Sequence, residues 1–151
     1  MGRRLRQFVT AFQLLMDAEF SELLSLAADL EEAPDNLPKY LGKALGVTSK
    51  KVKESAAKKV SGRKHFSQAA SAIDYELTGY SGAVSGMSSE IGYNKDKAAG
   101  KLGNLVEFGA PNSGNQLSPG GELQAALQEN EGDFETGVSA AVDDAMKEAG
   151  L

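Results

Sequence analysis

At 151 residues, with 41% hydrophobic and 25% charged residues, the chain has the length and composition of one globular domain able to bury a core. The absence of cysteine excludes disulfides, thiolate chemistry and cysteine-based zinc sites, and a single histidine narrows the metal options further. The net charge of −5 is unevenly spread: nine basic residues meet only Glu54 between Lys39 and His65, a local balance of +8, whereas seven acids from Asp17 to Asp35 meet no base and eight from Glu122 onward face only Lys147.

The opening "MGRRLRQFVTAF" is basic, but neither an unbroken apolar core nor a small-residue cleavage site follows it, so it does not read as a signal peptide. Arg6 stands where a myristoylation signal needs Ser or Thr. No stretch approaches the roughly 18 apolar residues of a membrane span. The expectation is a soluble protein made in the cytoplasm, with no membrane partner. Leu5, Phe8, Val9, Phe12, Leu15, Met16, Phe20, Leu23, Ala27 and Leu30 recur three or four apart, predicting a helix over residues 3–32 that ends before Pro34. Thirty residues is long for a small protein, and such a helix projects beyond its own core.

A second helical phase, Leu37, Leu41, Leu45, Thr48, Val52, Ala56 and Val60, predicts a helix over 36–61 with Asp35 as N-cap. Gly42 and Gly46 weaken its first half, and Thr48–Ser49 offers a point at which a kinked helix would restart. After "SGRKHF" the period changes. "AASAIDYEL", "GAVSGMSSEIGY" and "LGNLVEF" read as three short strands, with Ile73, Tyr75 and Leu77 alternating against Asp74 and Glu76, and "TGYSG" as a hairpin turn. The segment "NKDKAAGK" reads as a mobile basic loop, and Asn104–Gly109 as a short buried strand. Leu123, Leu127, Asn130, Phe134, Val138, Ala141 and Ala145 keep one helical phase to the end of the chain. The predicted order is α-α-β-β-β-α, an α+β domain with an antiparallel sheet covered by helices.

No catalytic constellation emerges. His65 has no partner at ligand spacing, Glu107 between Val106 and Phe108 reads as a hydrogen-bonded or rim carboxylate, and "GKALGVTSKK" lacks the spacing of a phosphate loop. The +8 segment is a possible phosphate-contacting helix, which makes nucleic-acid binding the rival reading. Against it, no aromatics interleave with the lysines and the pI is near 4.9. A chain with one basic and two acidic segments satisfies itself internally or pairs head to tail with copies of itself.

The helix ending "AAKKVSGRKHF", the strand "SAIDYEL", the run "EIGYNKDKAAGKLGNLVEFG" and the closing "LSPGGELQAALQENEGDFETGVSAAVDDAMKEAGL" together resemble the neck and tail-completion (head–tail joining, minor tail) proteins of long-tailed bacteriophages, in the form seen in actinobacterial phages. In that pattern Ser61–Gly62 matches the glycine turn, Glu107–Phe108–Gly109 the strand end, and Leu123 to Glu129 the opening of the final helix. The chain departs from it in reaching "SAI" only at Ser71–Ile73 and in a longer, more basic N-terminal helix. The resemblance implies a non-enzymatic virion protein without cofactor. It would form a ring, commonly sixfold, at the head–tail junction between the head-connector or stopper ring and the tail tube, and line the channel through which genomic DNA passes without sequence recognition. On this reading the polar segment Gly109–Gly121 lies against a neighbouring subunit, because a long loop without secondary structure is usually functional. The expected ring interface then comprises Lys50, Lys53, Lys58, Arg63 and Lys64 from the basic segment, Glu107, Phe108 and Gly109 from the strand end, and Pro111, Asn112, Leu117 and Pro119 from the loop.

Overall fold

The computed structural model describes residues 35–78, 87–110 and 119–150; the helix predicted over 3–32 lies outside them. The chain is α+β, as the patterning predicts, but with two strands rather than three. Its spine is helix α1, Leu37–Ser61. Pro38 fits the first turn, where no N–H is needed, and Lys58 and Lys59 sit favourably at the negative end of the helix dipole. Leu37, Leu41, Leu45, Val52, Ala56 and Val60 are all buried on one stripe.

The helix runs unbroken through Gly46, as the reading of one helix over 36–61 has it, and the restart that Thr48–Ser49 offered does not occur. Both residues are buried in the stripe instead, and the Ser49 hydroxyl hydrogen-bonds the Leu45 carbonyl at 2.7 Å and the Ser89 hydroxyl at 2.6 Å. Asn36, rather than Asp35, holds the N-cap position, and its amide reaches the far end of the chain at Ala145 O (3.3 Å) and Glu148 Oε2 (2.8 Å).

A 3-10 segment, Ser67–Ala72, leads into strand β1, Ile73–Thr78, which pairs antiparallel with β2, Ser88–Tyr93. The register sets Ile73 opposite Tyr93, Tyr75 opposite Ile91 and Leu77 opposite Ser89 on the face toward α1, and Asp74, Glu76 and Thr78 opposite Gly92, Glu90 and Ser88 on the other. The alternation read in β1 is therefore correct. With Thr78 paired to Ser88, the connection spans residues 79–87, longer than the tight turn read in "TGYSG".

"NKDKAAGK" is a turn followed by a second 3-10 segment, Ala98–Leu102, rather than an open loop. Asn94 organises it by accepting the Asp96 N–H on Oδ1 and the Lys97 N–H on its carbonyl. The third predicted strand is a helix, α2, Gly103–Phe108. Gly103 lies under the Tyr93 ring, where an added Cβ would come within 2.3 Å of Cγ, and Gly109, at φ 70°, ends the helix. The single predicted C-terminal helix is two: α3, Glu122–Glu129, and α4, Glu131–Glu148. Asn130 makes the break, its side chain bonding Ala126 O at 2.7 Å while its own carbonyl accepts the Phe134 N–H at 3.0 Å. Leu123 and Ala126 of α3, and Phe134, Val138, Ala141 and Ala145 of α4, complete the core against α1.

Two glycines should respond oppositely to alanine. At Gly100 a Cβ would stand 1.8 Å from the Asn94 carbonyl oxygen, a backbone atom with nowhere to go, so Gly100→Ala is expected to cost roughly 3 kcal/mol. At Gly137, inside α4, the nearest atom is the Ala44 Cβ at 3.9 Å, and Gly137→Ala should stabilise by about 0.5–1 kcal/mol. Denaturant unfolding of both variants checks the pair.

Candidate functional site: a loop root and a lysine face

The segment after Phe108 is fastened at both ends by neighbouring atoms. The Gly120 and Gly121 N–H groups donate to the Val106 and Glu107 carbonyls at 3.0 and 3.2 Å, so the returning chain caps the open end of α2. The Glu107 side chain then reaches forward to the start of α3. Its Oε2 accepts the Leu123 N–H at 3.1 Å and its Oε1 the Gln124 N–H at 3.3 Å. The N-cap residue of α3 is Gly121, in the left-handed conformation and without a side chain, so a carboxylate fourteen residues earlier in the chain supplies the cap.

Glu107 is 5% exposed. Burial pushes its pKa up, the Leu123 and Gln124 N–H groups pull it down, and nearby Glu122 and Arg63 act in opposite directions; the net shift is upward. Arg63, just past α1, pairs with Glu122 at 17% and 12% side-chain exposure. Tyr93 is buried beside them, and burial first, then the charges of Glu107 and Glu122, push its hydroxyl well above the ordinary tyrosine range. Phe108 faces the other way and is 55% exposed. The Glu–aromatic–Gly triplet is thus an inward carboxylate, an outward ring and a left-handed turn.

Of the expected interface residues, Arg63, Glu107 and Gly109 converge here, with Pro119 exposed at the returning end. Pro111, Asn112 and Leu117 lie outside the described residues. Glu107 belongs to a helix, not to a strand end, and its carboxylate is turned into the chain. Glu122 and Tyr93 were missed by the sequence reading. The only signal for Glu122 was an acid in the first turn of a helix following two glycines.

The lysines are divided. Lys51 meets Asp133 at 2.9 Å, Lys59 meets Glu129 at 2.5 Å, and Lys53 meets Asp74 at 3.3 Å with its ammonium 5.8 Å from the Tyr75 ring centre. The basic segment therefore pairs in part with acids of its own chain, including C-terminal ones, which is the internal arrangement of the two that the charge pattern left open. Burial pushes the Asp74 pKa up, but the Tyr75 N–H, Lys53 and Lys97 outweigh it and hold it below the usual value. Lys50 is 3.9 Å from Glu54 on the exposed surface. Lys58 and Lys64 are exposed and make no ion pair among the described residues. Among those residues, too, no three metal-ligating side chains cluster and no helix is long and apolar enough to cross a membrane.

Because burial raises the folded-state pKa of Glu107, the folded chain holds that proton more tightly than the unfolded one. Relative to Glu107→Gln, the wild type should lose stability as pH rises from the ordinary glutamate range through the raised folded value, and level off above it. A wild-type advantage that grew with pH, in denaturant titrations across that window with Glu122, Arg63 and Tyr93 unchanged, would contradict this. Glu107→Ala, which uncaps α3, should cost about 2 kcal/mol. Comparison of this chain with known protein families, curated proteins and solved structures finds no match.

Proposed function

We propose that this chain is a non-enzymatic structural protein that assembles with copies of itself into a ring at the head–tail junction of a long-tailed bacteriophage, in contact with a connector or stopper ring on one side and the tail tube on the other. The observation that carries the reading is the root of the 109–121 segment. The Glu107–Phe108–Gly109 triplet, one of the segments in the ordered set that carries the family resemblance, has its carboxylate buried in capping α3 and its aromatic ring 55% exposed beside the segment's first residue. Fixed ends reduce the ordering cost that a long polar segment would otherwise incur on binding. An exposed aromatic at such a root is the type of side chain that anchors protein interfaces.

The acidic overall charge favours a channel wall that DNA slides past rather than a surface that holds it. Four of the basic residues, Lys51, Lys53, Lys59 and Arg63, are already paired in their own chain, which reduces the charge available to phosphates. The rival reading, a nucleic-acid-binding helix face, rests on Lys39, Lys43, Lys58 and Lys64, all exposed and without an ion pair among the described residues.

Light scattering over a concentration series, with and without purified tails, tests the proposal. A closed ring, or conversion to one on tail ends, is expected. Removing residues 112–117 should leave the circular dichroism and unfolding midpoint nearly unchanged while abolishing assembly, and Phe108→Ala should weaken it. Normal ring formation by the shortened chain would sink the interface role of the loop. A monomer indifferent to tails that binds duplex DNA, with affinity falling steeply as salt is added, would establish the rival.

A further inference from the structure

The solvent faces of α1 and α4 each carry a short row of exposed side chains, and the two rows are complementary. On α1 the row is Lys43, Val47 and Lys50, at i, i+4 and i+7 on the side opposite the buried stripe. Val47 is 51% exposed, an apolar side chain set between two lysines. Lys43 makes no ion pair among the described residues, and Lys50 only approaches Glu54, at 3.9 Å in open solvent. On α4 the row is Glu135, Ser139 and Asp143, at i, i+4 and i+8, all exposed. Neither acid makes an ion pair among the described residues.

At the rise of an α-helix, the two lysines stand about 10 Å apart along α1 and the two acids about 12 Å apart along α4. The rows therefore match end for end whichever way the helices run. Each lysine meets an acid, and Val47 lies over Ser139, whose short side chain leaves room for it. One chain cannot make this match with itself. Its own α4 turns Asp133 and Gly137 toward α1, where they meet Lys51 and Ala44, and the acidic row projects on another side of the helix. Two different patches that fit each other make a head-to-tail contact, the kind that closes into a ring. Nucleic acid is the poorer occupant, because phosphates suit the lysines but offer nothing to Val47 and are repelled by Glu54.

We propose that the Lys43–Val47–Lys50 row of α1 docks on the Glu135–Ser139–Asp143 row of α4 in a neighbouring copy of this chain. This rests on the self-assembly proposed above and adds to it a contact separate from the 109–121 segment. Exposed ion pairs supply little affinity, so the two pairs set register and orientation around the apolar centre. A weak contact suffices in a closed ring, where every subunit is held on both sides.

The test uses two variants of the full chain, Lys43→Glu/Lys50→Glu and Glu135→Lys/Asp143→Lys, by light scattering with and without purified tails. Each alone should raise the midpoint concentration for self-association by about tenfold or more. Mixed in equal amounts they should recover most of the loss, because alternating copies then present opposite charges at every contact. Loss of folding cannot produce that recovery. Zero-length cross-linking of lysines to carboxylates, in a mixture of isotopically light and heavy wild-type chains, should join Lys43 or Lys50 of one chain to Glu135 or Asp143 of another. Wild-type assembly by either variant would overturn the proposal and leave the ring reading intact, as would two defective variants that stay defective when mixed. Loss of duplex DNA binding by Lys43→Glu/Lys50→Glu, with assembly unchanged, would assign the lysine row to nucleic acid instead. A wild-type chain that never associates, alone or with tails, would remove both the contact and the ring.

Discussion

The apolar stripe of α1 is the constraint on which the other elements depend. A six-residue helix, an eight-residue helix and a two-stranded sheet are each too small to persist alone in water. The sheet and the eight-residue helix hold because Leu41, Leu45, Val52, Ala56 and Val60 present one continuous surface, each leucine or valine contributing about 1.5–3 kcal/mol on full burial, whereas the six-residue helix packs on the two 3-10 segments. A polar group in that stripe also sets register. Ser49 is completely buried, and its hydroxyl meets both the Leu45 carbonyl and the Ser89 hydroxyl. Sliding β2 by one residue would turn Ser89 outward and carry Ile91 and Tyr93 with it, so one buried hydroxyl pair and two large side chains enforce the same pairing.

The loop root uses the same logic over a longer span. Helix α3 begins after two glycines and has no capping side chain of its own, and α2 ends at a glycine that cannot continue it. Glu107 joins these two defects. Its backbone carbonyl receives Gly121 and its carboxylate receives the first free N–H groups of α3. Burial opposes ionisation there while the N–H groups and Arg63 favour it, so the carboxylate is held by a balance rather than by one dominant partner. That balance fastens both ends of the 109–121 segment.

How much of this was legible follows from whether the deciding contact is local. The α1 stripe and the β1 alternation are local patterns, and both were read correctly. "GNLVEF" is a short apolar run that fits strand or helix equally; what decides it is the Tyr93 ring over Gly103, a contact between segments. The break at Asn130 escaped because the helix on either side keeps nearly the same phase, the Asn130 side chain closing one helix while its carbonyl opens the next. Glu107 was read as a hydrogen-bonded or rim carboxylate, but its target lies sixteen residues away and no spacing rule reveals it. Charge segregation was visible in the composition, yet composition does not say whether a lysine meets an acid of its own chain or of another.

That last distinction changes what the charged surface is able to do. Exposed ion pairs such as Lys51–Asp133 contribute little to stability individually and are weakened by salt. Their larger consequence is selection. Pairing removes Lys51, Lys53, Lys59 and Arg63, together with Asp74, Glu122, Glu129 and Asp133, from the charge offered to a partner. What remains exposed and without an ion pair on the described helices is Lys39, Lys43 and Lys58 along α1, and Glu135, Asp143, Asp144 and Lys147 on α4. Scattered charges of this kind steer orientation and register between molecules better than they supply affinity. Affinity must then come from apolar contact, and Phe108 and Val47 are the two large hydrophobic side chains the described surface exposes. An interface built this way would be specific in geometry yet tolerant of salt, the behaviour that the proposed self-assembly calls for and that phosphate binding would not show.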